Sequence, residues 1–148
     1  FLPWVTLGVS DIDGWAKHLV YSVTPAFTQP DFESLVAVPD KIVLGRAKEG
    51  LLYYLAGQEN CTIATSCSPA IIFSYGKRNL GVGANNVAQP NGATNNIDEI
   101  NNHTTTNRFI QRPATLDTET QGGEIDDQVT WITIKSLYTS MKAAGSLH

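Results

Sequence analysis

Leu2-Pro3-Trp4-Val5-Thr6-Leu7-Gly8-Val9, followed by Asp13-Gly14-Trp15-Ala16-Lys17-His18-Leu19-Val20-Tyr21-Ser22-Val23, is the stretch that decides how the rest of the chain is read. It reads as an extended entry, a turn carrying a tryptophan, and then a strand. Over residues 18–23 the side chains alternate, with Leu19, Tyr21 and Val23 on one face and His18, Val20 and Ser22 on the other. That period of two marks a half-buried strand. Asp11 and Asp13 flank the turn, where a short carboxylate caps its own backbone more readily than it serves catalysis.

Downstream, Pro25 and Pro30 interrupt regular structure, so residues 24–40 are expected as a loop with one short helical turn near 32–36. Two apolar runs, 41–47 and 51–56, are separated by Lys48-Glu49-Gly50 and read as a hairpin. Ala-Ile-Ile-Phe-Ser-Tyr at 70–75 is a β-prone, mostly buried strand ending at Gly76. Residues 129–133, with Trp131 between Thr130 and Ile132, give the last strand. Ile134, Leu137, Tyr138 and Met141 then follow at helical spacing, with Thr133 as N-cap and Gly145 placed to end the helix. This predicts one C-terminal amphipathic helix of about eleven residues packed on the sheet.

Between Gly76 and Asp127 lie about fifty residues with few large apolar side chains, rich in Asn, Thr and Gly. Residues 76–127 are expected as a long loop, pinned midway by Phe109 and Ile110, and such length without structure tends to be functional. No internal repeat is visible.

The chain fits one domain over residues 1–148, large enough to bury a core without metals or many disulfides. Only 16% of residues are charged, and Asn, Thr, Ser and Gly supply the polarity, as in β-rich extracellular domains. A net charge of −4 with scattered Lys and Arg argues against a nucleic-acid module, which carries a clustered basic face. No run reaches the roughly 18 apolar residues that span a bilayer. A chain beginning Phe-Leu-Pro reads as one cut from something longer.

Cys61 and Cys67 lie in Asn60-Cys61-Thr62-Ile63-Ala64-Thr65-Ser66-Cys67, with no histidine close in sequence to complete a metal site. A disulfide closing this loop is the preferred reading, with two buried free thiols as the alternative. A disulfide implies an oxidising compartment, the periplasm or the cell exterior.

The opening stretch resembles the start of the globular domain in type IV pilin-like and type II secretion pseudopilin-like proteins. There, Leu-Pro-(aromatic)-x-Thr-Leu-Gly precedes Asp-x-Trp-Gly-x-x-Leu-x-Tyr. The other end is similar too, since an Asp-Asp-x-Val-x-Trp strand leads into a helix ending Met-x-Ala-Ala-Gly. Here those positions are Asp126, Asp127, Val129 and Trp131, then Met141, Ala143, Ala144 and Gly145. Lys17-His18 replaces the usual Gly-Asn-like turn, and Ala16 stands for its glycine. The resemblance implies an α+β fold: a pilin-like antiparallel β-sheet domain with long loops and the C-terminal helix. It also implies a non-enzymatic filament subunit, whose partners are other subunits and, through an N-terminal apolar helix outside this chain, the inner membrane.

Sites of chemistry are sparse. Gly76-Lys77-Arg78-Asn79-Leu80-Gly81-Val82-Gly83 follows a strand, but Val82-Gly83 stands where a phosphate loop needs its Lys and Ser/Thr. Neither Gly-x-Ser-x-Gly nor His-Glu-x-x-His occurs. His18 is expected as a surface or hydrogen-bonded histidine, His103 in the loop and His148 at the end. The three tryptophans are expected as core or edge-covering anchors. Asp98, Glu99, Glu124, Asp126 and Asp127 are expected as solvated loop carboxylates. Some major pseudopilin-like proteins bind calcium in a corresponding loop, and an Asn/Asp-rich loop can supply the oxygens. Asn85 and Asn86 stand where acids would help most, so no metal-binding residue is assigned. No catalytic or cofactor-binding residue is assigned either, and Cys61 and Cys67 are the only site residues named. The leading function is a pilin or pseudopilin of an extracellular or periplasm-spanning filament. The alternative is a secreted ligand-binding or adhesin-type β domain using the Asn/Thr loop and Trp4 or Trp15.

Overall fold

The computed structural model describes residues 5, 8–28, 37–62 and 66–145. The extended entry over 2–7 (apart from Val5), the helical turn at 32–36, the middle of the cysteine loop, Trp4 and His148 lie outside the described residues. The fold is α+β; among the described residues it has two three-stranded sheets, a 3-10 turn at Pro25–Phe27 and two α-helices of more than one turn. One sheet has β1 (Val20–Val23), β4 (Ala70–Ser74) and β6 (Gln128–Ile132) in the order β1-β4-β6, all antiparallel. The other has β2 (Ile42–Arg46), β3 (Leu52–Ala56) and β5 (Arg108–Ile110) in the order β3-β2-β5. β2 and β3 form the expected hairpin, but β5 runs parallel to β2, so this sheet is mixed rather than antiparallel.

β4 is the central strand of its sheet, which accounts for its near-continuous apolar reading. Its Ile71 and Phe73 join Val43, Ala56, Phe109 and Val129 in one core drawn from both sheets. The Phe73 and Phe109 rings meet at 5.6 Å. A second cluster of Ile42, Leu44 and Ile110 includes Cys67, with Cys61 packed on it. The two sulfurs are bonded, and no free cysteine is present.

The long loop expected over 76–127 is not a loop throughout. It contains helix α1 (Ile97–Thr104), strand β5 and the bridges Val82↔Ala88 and Thr115↔Ile125. Phe109 and Ile110 do pin the segment, as buried residues of β5. Helix α1 is inverted in polarity: Asp98, Glu99 and Asn102 are buried, while Ile97 and Ile100 are 61% and 43% exposed. A helix with a buried polar stripe gives no apolar periodicity to read.

Helix α2 (Ile134–Ala143) starts where expected, Thr133 accepting the Ser136 amide at 3.0 Å. None of its residues is fully buried. Leu137 lines a small cleft with Tyr21, Phe27 and Ile132, so the helix touches its sheet along a partial contact only.

Candidate functional site

The carboxylates expected in solvent are the polar heart of the protein. Asp98, Glu99 and Asp127 are 1%, 1% and 2% exposed, and Glu124 is buried as well. Helix α1 delivers the first two in its opening turn, where the helix dipole favours negative charge. Two glycines bring the opposing chain close enough to meet them. Gly122 and Gly123 have φ of +89° and +75°, and a Cβ on either would collide with Asp98 or with the Asn95 backbone.

Asp98 takes two guanidinium groups. Arg46 donates from Nε and Nη2, the latter at 2.6 Å, and Arg112 donates from Nε at 2.7 Å. Arg112 Nη2 also reaches the Gly123 carbonyl at 2.6 Å. The hydrogen bond to the Asp98 carboxylate raises the Arg46 pKa further, outweighing the lowering effect of its burial.

Glu99 accepts from the side-chain amides of Asn79 and Asn96 at 3.0 and 2.8 Å and from the Asp126 main chain at 2.9 Å. Asn79 also donates to Glu124. Asn102 donates to Asp127 at 2.9 Å and bonds both main-chain groups of Ile110. Asp126 accepts the amides of Lys77 and Arg78. Lys17, 3% exposed, enters from the first turn and donates to the Asn79 carbonyl at 3.0 Å.

Burial lowers the Lys17 pKa, opposed by Asp126, Asp13, Asp127 and Glu99. Burial lifts Asp127 to about 7, with Glu99 and Asp126 adding to the rise and the Asn102 bond and Lys17 opposing it. Carboxylate oxygens of Glu99, Asp126 and Asp127 all lie within 4.8 Å of one another, a spacing that a single positive charge can serve. The buried Lys17 ammonium interacts electrostatically with all three. Amides of Asn79, Asn96 and Asn102 offset part of the cost of burying these carboxylates, while Asp126 Oδ1 and Asp127 Oδ1 are buried without a hydrogen-bond partner.

An apolar cavity of about 320 Å³ adjoins the cluster, lined by Val20, Leu80, Val82 and Pro90, with His18, Tyr75 and His103 among its polar groups. Tyr75 Oη and His103 Nδ1 are 3.1 Å apart. Burial and the nearby Asp127 push the Tyr75 phenol up to about 12.

Several sequence-nominated residues fall where expected. Asp13 caps its turn, accepting the Trp15 and Lys17 amides at 2.8 and 2.9 Å. His18 pairs with Asp11 at 3.2 Å. Trp131 packs against the core, but Trp15 is 42% exposed and anchors nothing there. Asn85 and Asn86 sit in an exposed turn, and neither is among the buried acids' hydrogen-bond partners. Residues 76–83 form bends and two bridges, and no helix starts there to cradle a phosphate. The sequence gives no warning of the roles of Asn79, Asn102, Arg46 and Arg112. Lys17 alone left a trace, as a cation where the resembling turn has a neutral residue.

Comparison of the chain with known protein families, with curated proteins and with solved structures finds no match in any of the three.

Proposed function

We propose that this chain is the globular domain of a non-enzymatic filament subunit, a pilin or pseudopilin, working in the periplasm or outside the cell. One observation carries the reading: the two stretches that resemble such subunits converge on one sheet. β1, from the first, and β6, from the second, flank β4 and pair with it on either side. The bonded Cys61 and Cys67 fit an oxidising compartment. No helix among the described residues is long and apolar enough to cross a membrane, so in this reading the anchor lies upstream of Phe1.

Two experiments bear on it. The coding sequence upstream of Phe1 should encode a prepilin leader and an apolar helix, and the complete subunit should form fibres by electron microscopy. The 148-residue chain alone should run as a monomer or weak dimer at micromolar concentration, because the buried area for assembly comes from that helix. Regular filaments built by the isolated chain would defeat the proposed division of labour. So would an ordinary cleaved secretion signal upstream.

The second reading, a secreted ligand-binding domain, draws on the cavity beside Tyr75 and His103. Under it, a glycan or small-molecule screen should yield a ligand whose binding is lost on filling the cavity with Ala88→Trp.

A further inference from the structure

Asn91-Gly92 is the one place in the sequence where glycine follows asparagine. That pair carries a chemistry of its own. The glycine main-chain nitrogen can attack the asparagine side-chain carbonyl carbon, because no side chain on the glycine obstructs the approach. A bond forms between Gly92 N and Asn91 Cγ, the Cγ–Nδ2 bond breaks, and ammonia leaves with the proton that Gly92 N gives up. Water then opens the cyclic imide at either carbonyl, leaving aspartate or isoaspartate at position 91. The sum is amide plus water going to acid plus ammonia, with nothing oxidised or reduced.

The fold holds both reacting groups. Asn91 and Asn96 exchange two side-chain hydrogen bonds, Asn91 Nδ2 donating to Asn96 Oδ1 at 3.0 Å and Asn96 Nδ2 to Asn91 Oδ1 at 2.8 Å. The Ala93 amide also donates to Asn91 Oδ1, at 3.2 Å. The Gly92 N–H, whose proton must go for the attack, donates to Asn79 Oδ1 at 3.1 Å. Asn91 and Gly92 are themselves exposed, but the side chains that hold them are buried, Asn96 being 2% exposed and Asn79 6%. Both belong to the acid network, since each donates to Glu99.

We propose that Asn91 is a site of spontaneous deamidation that the folded protein holds shut, and that the product does not close again. Attack requires the Asn91–Asn96 pair and the Gly92–Asn79 bond to break together. The native rate is then the unfolded rate scaled by the fraction of time this segment is open. An ionised aspartate at 91 has no hydrogen to give Asn96 Oδ1, so a buried acceptor loses its donor. Its carboxylate would also share the one Asn96 amide with Glu99, setting two like charges on a single donor. Isoaspartate adds a methylene to the main chain and carries the Gly92 N–H away from Asn79. The reaction therefore leaves a permanent mark on any chain whose 91–96 segment has opened. Deamidation here depends on neither functional reading above, so its failure leaves both standing.

The test is peptide mapping of the whole chain held at pH 8 and 37 °C, in buffer and in guanidinium. Conversion at Asn91 reads as a mass gain of about 1 Da, with isoaspartate located by fragmentation. In denaturant Asn91 should convert before any other asparagine, and in the folded protein at least about tenfold more slowly. Gly92→Ala has room, since its Cβ would meet only Asn79 Oδ1, at 3.7 Å. It should keep the melting temperature and suppress conversion in both conditions. Asn91→Asp copies one product; at pH 7 it should lower the melting temperature and speed hydrogen exchange at Gly92 and Ala93, while the β4 amides stay protected. Equal rates in the folded and unfolded chain overturn the gating, and no conversion in denaturant overturns the site. An Asn91→Asp protein with the parent's melting temperature and exchange overturns the one-way step.

Discussion

Lys17 and Asn79 stand 62 residues apart in the chain, and the Lys17 ammonium donates to the Asn79 main-chain carbonyl at 3.0 Å inside the protein. The turn before β1 is thereby tied to the segment after β4. The charge of the same amine is supported by Asp126, Asp13, Asp127 and Glu99 against the cost of its burial.

Lys17→Met should therefore destabilise the domain by about 2–4 kcal/mol at pH 7, the order expected when one side of a buried charge arrangement is removed. The loss should shrink at pH 5, where Asp127, its pKa raised to about 7 by burial, holds a proton. Urea melts at the two pH values measure both effects, and an equal loss at each would count against the charge role.

Asp127 sets a pH dependence of unusual sign. Its folded pKa is raised from 3.8 to about 7, so the native state holds a proton that the unfolded chain has released. Its contribution is fully present below about pH 4 and declines as pH climbs through 7, by up to about 4 kcal/mol. Asp127→Asn should keep the partnership with Asn102, flatten the stability profile between pH 5 and 8, and raise the melting temperature at pH 8. A variant profile parallel to that of the parent would rule this out.

Gly123→Ala should cost about 2–4 kcal/mol, because a left-handed φ and a collision with the Asn95 backbone act together. Gly14→Ala, which meets nothing within 4 Å, should change stability by less than about 0.5 kcal/mol. Thermal melts of the pair separate local strain from a general intolerance of substitution.

Intact mass should reveal no alkylatable thiol until reductant is added, since Cys61 and Cys67 are bonded. The double replacement Cys61→Ala/Cys67→Ala should lose about 2 kcal/mol, as expected for so short a closed loop. Two thiols alkylated without reductant would disprove the bridge.

The strands were legible in the sequence because β1, β2, β3, β4 and β6 carry β-branched and aromatic side chains in alternating or continuous apolar runs. Their predicted limits differ from the observed ones by at most two residues at either end. Helix α1 was illegible for the converse reason. Its inward stripe is Asp98, Glu99 and Asn102, and a reading that looks for buried hydrocarbon takes it for a solvated loop. The acid cluster was half legible. Asp98, Glu99, Glu124, Asp126 and Asp127 stand out in the sequence as acids, but Lys17 and Asn79 lie as far as 110 residues from them, and only tertiary structure gathers these with Asn96 and Asn102 around the acids. The parallel β2–β5 pairing was likewise hidden, because adjacency in sequence favours the hairpin partner.

That pairing has a consequence in time. β2 and β3 are complete by residue 56, whereas β5 begins at Arg108. At a synthesis rate of about 5–20 residues per second, one side of β2 waits on the order of 3–10 s for the strand that will cover it. Throughout that interval the new hairpin is open on both flanks, with Ile42, Val43 and Leu44 uncovered beside the apolar run of β3. The emerging chain is most exposed to capture by other chains then, and a holding chaperone would have most effect in that window.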